Sequence, residues 1–501
     1  MPSKLEFRVR ALRQAAPSSP RPVFVLATDK WNDYGHVVQF HLSYIDGNGE
    51  TTRLGAVKIL QRTSPDGAPI ELANVTKLPE AFSTLSEDFV SLGQEDDYYK
   101  TLRTLMGDKS GAVLDALRDI SWRPAFAADF EPTTAFRNAM MRENGAHRAR
   151  RFGRAWITGE PVHENLNFTY IGSIEGADSD VEAEFSFNRK DPVPGRIVGI
   201  IGRNAVGKTQ FLASLGADLA QISRTSAEKL SEREERFPRG RPLFTRIIAI
   251  SYSAFDRFRR PAPDSSSSYV YCGIRNDKGG LSRASLMDAY LRNQGRIRDR
   301  GMQADWVECM QAVLGDISET LMAILVSEIH SAATEDMGLS LLSSGQSILA
   351  HFVTALLAWI QPNSLVLFDE PETHLHPNAV ASLFLVLSDI LSKFDSYAVV
   401  ATHSPIVIQE IPAKRVLVFQ REQNQTQAHP LSVESFGESV TELTRHVFET
   451  IEIESVYRRT LQELAQVESA VQVLARFDRG LSLNAEAYLL AQYGRKGGIK
   501  K

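Results

Sequence analysis

Cysteine is nearly missing from this sequence. Two occur in 501 residues, Cys272 and Cys309. Neither sits in a Cys-x-x-Cys pattern, which excludes a disulfide framework and a cysteine-rich zinc site. Long apolar runs are missing too. The longest candidate, residues 347–360, is shorter than the ~18 residues of a membrane span and is interrupted by His351. The start, Met1-Pro-Ser-Lys-Leu-Glu-Phe-Arg-Val-Arg, carries charges where a signal peptide needs an apolar stretch. There Leu5, Phe7 and Val9 alternate with Glu6, Arg8 and Arg10, the pattern of a strand. Neither sign of charge dominates: 56 Lys and Arg against 61 Asp and Glu leave −5, which excludes a chain that coats nucleic acid over its whole surface. With 32 glycines, 22 prolines and 43% hydrophobic residues, fibrous and disordered chains are excluded as well. The expectation is a soluble, cytoplasmic protein of roughly three domains, long enough to bury cores without cross-links.

Two halves of the chain pattern differently. Residues 37–44 and 51–60 read as strands joined by Asp46-Gly-Asn-Gly49, a hairpin signal. Helices are expected over 79–105, with Asp96 and Asp97 as solvated charges, and over 112–142. Residues 167–172 and 181–187 alternate like antiparallel strands. From residue 197 short continuous apolar runs appear instead, at 197–201, 247–250, 365–368, 397–401 and 416–419. Strands buried on both faces look like this, so an α/β core with a parallel sheet is expected.

Chemistry concentrates after these runs. Gly202-Arg-Asn-Ala-Val-Gly-Lys-Thr209 matches GxxxxGK[ST] between an apolar strand and a helix opening at Gln210. Its glycines let backbone N–H groups approach phosphates, Lys208 brings a positive charge, and Thr209 offers a hydroxyl to Mg²⁺. The second run ending in chemistry is Leu365-Val-Leu-Phe-Asp369-Glu370: Asp369 suits Mg²⁺ and Glu370 an attacking water. Ser343, Ser344, Gly345 and Gln346 precede a helical stripe of Leu349, Phe352, Val353, Leu356, Leu357 and Ile360, and so cap a helix at an anion-binding end. His403, in Ala401-Thr-His-Ser404, follows the next apolar run and is placed to meet a γ-phosphate or orient water.

In this order and spacing the motifs resemble the ABC-type ATPase superfamily over about residues 165–425. Gly202, Arg203, Asn204, Ala205, Val206, Gly207, Lys208, Thr209 and Gln210 are similar to a Walker A loop. Ser343–Gln346 resemble the signature, Asp369 and Glu370 the Walker B carboxylates, and His403 the switch histidine. Pro371-Glu-Thr-His-Leu-His-Pro377 is similar to the SMC, RecF and OLD branch, and to standalone ATP-binding proteins of bacterial anti-phage defence such as Septu- or retron-associated ATPases. The resemblance implies ATP and Mg²⁺ as ligands, with Thr209 and Asp369 at the metal and Glu370 and His403 catalytic. It also implies a homodimer or higher homo-oligomer that sandwiches nucleotide, with a separate effector such as an HNH-type nuclease. A RecF- or SMC-like DNA-repair ATPase and, further off, a transporter subunit are the alternatives. The third signature position is Ser344 where transporters carry Gly, and no glutamine follows residues 247–250, where Ser253 or Asp256 stands instead.

The implied fold is a P-loop ABC-type core with a mixed sheet, a helical insertion and an N-terminal α+β accessory module. The expected division is an N-terminal module at 1–160, core at 161–215, and a largely helical insertion at 216–340 with one core strand near 247–251. Core follows at 341–425, then a short helical segment at 426–501. The C-terminal segment has no acidic cluster suited to a two-metal nuclease. His374 and His376 with Glu372 are weighed as zinc ligands, and a dimer-contact loop is preferred. Arg148, Arg150, Arg151 and Arg154, with Phe152 and Trp156, and Arg257, Arg259 and Arg260, with Phe255 and Phe258, have two open readings: a nucleic-acid face, or an internal salt-bridge network. No membrane partner is expected.

Overall fold

The alternation at the start of the chain becomes strand β1 (Phe7–Ala11), its Phe7 turned inward. Beside it run β2 (Val23–Thr28), β3 (Gln39–Ile45) and β4 (Thr51–Gln61), then β5 (Ala81–Phe82) and β6 (Phe89–Gly93), in the sheet order β5-β1-β2-β3-β4-β6. The turn between β3 and β4 is tied by Asp46, whose carboxylate accepts from the Asn48 and Glu50 amides. Helices α1 (Asp96–Met106), α2 (Ser110–Ala116) and α3 (Asn144–Thr158) complete this module over one apolar core. The helix expected over 79–105 therefore begins only at Asp96. Residues 89–93 are buried throughout and pair with β4, so sheet pairing decides their state. The region 112–142 is α2 followed by two short helical turns at 124–127 and 136–140.

This computed structural model describes residues 5–11, 21–33, 35–65, 70–162, 164, 166–220, 226–253, 257–258, 268–273, 275, 283–315, 317–330, 337–448 and 456–497. It divides into two compact units, 1–440 and 441–501. Asp256, Phe255, Arg259, Arg260 and residues 261–267 lie outside the described residues.

Within the first unit, the hairpin β7 (Phe168–Gly172) and β8 (Val181–Phe185) leads to β9 (Ile197–Gly202). Then come α4 (Lys208–Ala220), α5 (Ala227–Glu235), β10 (Ile247–Ser251) and β11 (Tyr269–Gly273). Four helices, α6 (Arg283–Asp299), α7 (Gln303–Leu314), α8 (Glu319–His330) and α9 (Met337–Leu341), lead to α10 (Ser344–Trp359). The unit closes with β12 (Leu365–Asp369), α11 (Pro377–Lys393), β13 (Tyr397–Thr402), α12 (Pro405–Ile408), β14 (Val416–Glu422) and β15 (Gln425–Pro430). These strands form one sheet in the order β11-β10-β12-β13-β9-β14-β15, parallel except for β15. It is the mixed sheet of an α/β fold. Leu365 and Leu367 share a core with Phe168, Phe185 and Phe211. On the alternate face Phe368 stacks on Phe352 of α10 at 5.0 Å. Burial of both faces explains the continuous apolar runs.

One segment's content and one boundary differ from the sequence reading. Residues 216–340 hold a second core strand, β11, paired with β10, and β15 carries the sheet past residue 425. The second unit is small. It comprises α13 (Val440–Phe448, opening at the boundary), α14 (Val456–Val467), α15 (Ala470–Leu474) and α16 (Leu483–Gly497), with Leu461, Ala465, Val473 and Leu489 as its core.

The N-terminal module is fastened to the amino ends of the parallel strands through α3. The Asn144 side-chain amide donates to the Leu219 and Phe244 carbonyls at 3.0 and 3.1 Å and accepts from Arg241 at 3.0 Å. The Asn144 backbone N–H donates to Ser268 Oγ at 2.7 Å, and Ser268 N–H donates to Glu143 at 2.9 Å. Arg148, with only 2% of its side chain exposed, pairs with Asp96 at 2.8 Å and with Glu164, and donates to the Leu243 carbonyl at 2.8 Å. Asp96 is thus a structural partner and not a solvated charge. The Asp96 and Glu164 carboxylates hold the Arg148 guanidinium charged against the opposing effect of burial, so its pKa lies above the ordinary arginine value.

In the first arginine cluster, Arg148 belongs to an internal salt-bridge network, while Arg151 and Arg154 are exposed. Arg148, Phe152 and Trp156 are spaced four apart on α3 and all face inward, Arg150 pairs with Glu131, and Arg154 lies over the Trp122 ring. Arg257 pairs with Glu175 at 2.5 Å, and Phe258 is buried.

Candidate functional site

Sheet register brings the motif residues together. Ser251 lies opposite Asp369, Asp369 opposite Ala401, and Thr402 opposite Ile201. The strands β10, β12, β13 and β9 therefore end level, and the loops leaving them converge at the carboxyl edge, where ligands bind in open α/β sheets.

From β9 the chain turns through Arg203, Asn204, Ala205, Val206 and Gly207 into α4. Ala205 and Gly207 take left-handed backbone, with φ of 68° and 96°. At Gly207 a Cβ would stand 2.6 Å from Ile174, and at Gly202 2.3 Å from the Phe419 carbonyl, so side chains are excluded at both positions. This compact loop aims the first N–H groups of α4 at one point, with the helix dipole behind them. Lys208 is buried and its Nζ donates to the Gly202 and Arg203 carbonyls at 2.8 and 3.0 Å. Burial pushes the ammonium pKa down, while the Glu370, Asp369 and Glu372 carboxylates act to keep it charged. Gln210, one residue into the helix beyond Thr209, reaches Glu175 at 3.5 Å.

The Thr209 hydroxyl donates to Asp369 Oδ1 at 2.9 Å, joining residues 160 apart in sequence. A hydroxyl beside a buried carboxylate is a hard-oxygen pair suited to Mg²⁺, which takes few protein ligands and fills its shell with water and phosphate oxygens. Glu370 follows on left-handed backbone (φ 49°), its N–H donating to the Ala401 carbonyl at 2.8 Å. A non-glycine residue in that region marks strain held by its surroundings. Here the turn points the carboxylate to the same side as Lys208 and His403. His403 Nδ1 lies 3.6 Å from Glu370 Oε1.

Ser343 N-caps α10, accepting from the Gln346 amide at 3.4 Å while Gln346 Oε1 accepts from the Ser343 amide at 3.0 Å. This reciprocal capping box presents Ser344 and Gly345 at the helix start. A Cβ on Gly345 would lie 3.4 Å from the His374 carbonyl, so these residues meet the loop after Asp369-Glu370, whereas Lys208, Thr209, Asp369, Glu370 and His403 gather at the strand ends. Ser253 donates its N–H to Ser251 Oγ at 3.3 Å.

Glu372, read from sequence only as a candidate zinc ligand, holds the site together instead. Its Oε1 accepts from Thr402 Oγ1 at 2.6 Å and from the His403 N–H at 3.0 Å. His376 caps α11, Nδ1 accepting from the Asn378 N–H at 3.3 Å. Among the described residues no group of three His, Cys, Asp or Glu is placed to hold a metal. Nor is any helix among them long and apolar enough to cross a membrane.

Residues 311–409 match the family model described as AAA domain, putative AbiEii toxin, Type IV TA system. The stretch holds Ser343–Gln346, Asp369, Glu370 and His403 and leaves out Lys208. Protein ea59 of Escherichia phage lambda is 28% identical over 524 residues, covering 97% of this chain and 98% of that protein. Among solved structures, cbiO1 from Clostridium perfringens, part of the ABC transporter complex cbiONQ, aligns with a TM-score of 0.31 and 14% identity, over 63% of this chain and 100% of that one. The SmcHead bound to the C-winged helix domain of ScpA aligns with a TM-score of 0.30 and 13% identity, over 55% of this chain and 98% of that one. The α/β fold with a mixed sheet, expected from the sequence, is the fold the chain has.

Proposed function

We propose that this chain is an ABC-type ATPase that binds ATP with Mg²⁺, dimerises around the nucleotide, hydrolyses it and controls a separate effector, a nuclease, in anti-phage defence. The observation that carries the nucleotide reading is the Thr209–Asp369 bond, because it sets the two hard-oxygen groups beside Lys208 at the mouth of the P-loop. Backbone N–H groups from the loop at 203–207 and the α4 terminus cradle phosphates. Lys208 exchanges its bonds to the Gly202 and Arg203 carbonyls for phosphate oxygens. Thr209 and Asp369 would hold Mg²⁺, which would neutralise phosphate charge. Glu370 takes the proton from water as the water oxygen bonds to the γ-phosphorus and the bond to the β-phosphate oxygen breaks. His403 steadies the terminal phosphate. Ser343, Ser344, Gly345 and Gln346 complete the site of a second copy.

The control role leans on the toxin and TA-system wording of the matched family. It also leans on the absence of a nuclease-like metal cluster among the described residues. The internal pairing of Arg148 and its neighbours weighs against the DNA-repair alternative. The test is to incubate the purified chain with ATP and Mg²⁺ and, separately, with DNA and Mg²⁺ or Mn²⁺. Phosphate release with intact DNA is expected. Failure to bind ATP overturns the ATPase reading, and DNA cleavage that copurifies with the chain overturns the separate effector.

A further inference from the structure

We propose that Glu372 is a positioning residue for His403, setting both the place of its ring and the nitrogen that carries its proton. This rests on the ATPase reading of the site. Glu372 leaves the loop after β12 and crosses to the end of β13, where a single oxygen, Oε1, gathers the Thr402 hydroxyl at 2.6 Å and the His403 N–H at 3.0 Å. The same Oε1 stands 3.3 Å from His403 Nδ1, closer than Glu370 Oε1 at 3.6 Å; both are electrostatic contacts, and Nδ1 is buried without a hydrogen-bond partner among the described residues. Two carboxylates on the Nδ1 side favour the proton on that nitrogen, because the tautomer of a histidine follows the partner of each ring nitrogen. Nε2 is then the nitrogen left for the phosphate, and the imidazolium, once formed, has its charge balanced.

Burial makes the arrangement specific. The Glu372 side chain is 10% exposed, and its second oxygen, Oε2, is buried without a hydrogen-bond partner among the described residues. A carboxylate kept in that state costs more than a neutral amide of the same shape. A purely structural tether between the two loops has no need of the charge. The electrostatic partners of the Glu372 carboxylate are Lys208 and His403.

The test separates tether from positioning. Glu372→Gln keeps an oxygen for Thr402 and the His403 N–H but removes the charge, whereas Glu372→Ala removes both. Steady-state ATP hydrolysis by Glu372→Gln should show kcat lower by about 10-fold or more, within the range contributed by a placed proton-handling group, with KM for ATP little changed. In a His403→Ala background the same substitution should add nothing. Nitrogen NMR of the His403 ring should show the proton on Nδ1 in the unsubstituted chain and a mixture in Glu372→Gln. Wild-type kcat and an unchanged tautomer in Glu372→Gln, with loss only in Glu372→Ala, would mean a tether and overturn the proposal. So would an undiminished effect in the His403→Ala background. If the unsubstituted chain binds no ATP, it is the ATPase reading that has failed, and the ring tautomer still decides the role of Glu372.

Discussion

The two ends of the parallel strands use buried polar groups in opposite ways. At the carboxyl ends, the Lys208 ammonium rests on two loop carbonyls and the Thr209 hydroxyl on Asp369, bonds that a ligand can replace. At the amino ends, Asn144, Arg148, Arg241 and Ser268 are satisfied several times over by groups from both the N-terminal module and the core. One end keeps its charges exchangeable, and that is where chemistry fits. The other saturates them and so fastens two sheets into one unit. A buried arginine is thus as readily a fastener as an anion site, and the partners decide which.

Substitutions at the two ends should break the molecule differently. The largest effect on ligand binding is expected from Lys208→Ala, which removes the buried ammonium at the start of α4. ATP affinity measured by calorimetry should fall by about 100-fold or more, the loss of one well-placed charge-assisted contact of ~3 kcal/mol, while the denaturation midpoint moves little. Unchanged affinity would remove the P-loop from the account. Arg148→Ala should do the reverse. Leaving the partly buried Asp96 and Glu164 carboxylates without Arg148 should cost about 2–4 kcal/mol in urea denaturation, with ATP affinity of the folded protein close to normal. A loss below about 1 kcal/mol would mean that the fastening does not depend on this arginine.

Between the two ends lies His351 on α10, packed edge-on against the Tyr290 ring at 5.1 Å, its pKa pushed down to about 4 by burial. The native state resists protonation that the unfolded chain accepts near pH 6.5, so stability is full above that pH and falls as pH drops toward 4. The cost is about 2 kcal/mol at pH 5, from 1.36 kcal/mol per pH unit. His351→Leu should flatten that part of the stability–pH curve. An equally steep curve in the variant would assign the acid sensitivity to other groups.

What the sequence makes legible follows the same division. The P-loop, the strand ending in Asp369 and Glu370, and the Ser343–Gln346 cap are each built within a few consecutive residues, so local spacing carries their geometry. The fastening at the amino ends is built from residues 144, 148, 219, 241 and 268, and no local pattern announces it. The basic and aromatic run at 148–156 reads equally as a surface or as an internal network, and its four-residue spacing places Arg148, Phe152 and Trp156 on one helix face, which is the inner one. Strand β6 was hidden for a related reason: its partner β4 lies some thirty residues earlier, and its apolar run reads equally well as helix. Glu372 has no signal of this kind in the sequence, because its partners, Thr402 and His403, come from the end of the next strand.

The claim that the carboxyl end is an ATPase centre shared between two copies is tested most directly with Glu370→Gln. The variant keeps the loop geometry and the Lys208, Thr209 and Asp369 contacts but removes the carboxylate that takes the proton from water. Light scattering with bound-nucleotide analysis, after incubation with ATP and Mg²⁺, should find a dimer retaining unhydrolysed ATP. A variant that turns over ATP at the wild-type rate, or that retains ATP as a monomer, would contradict the account.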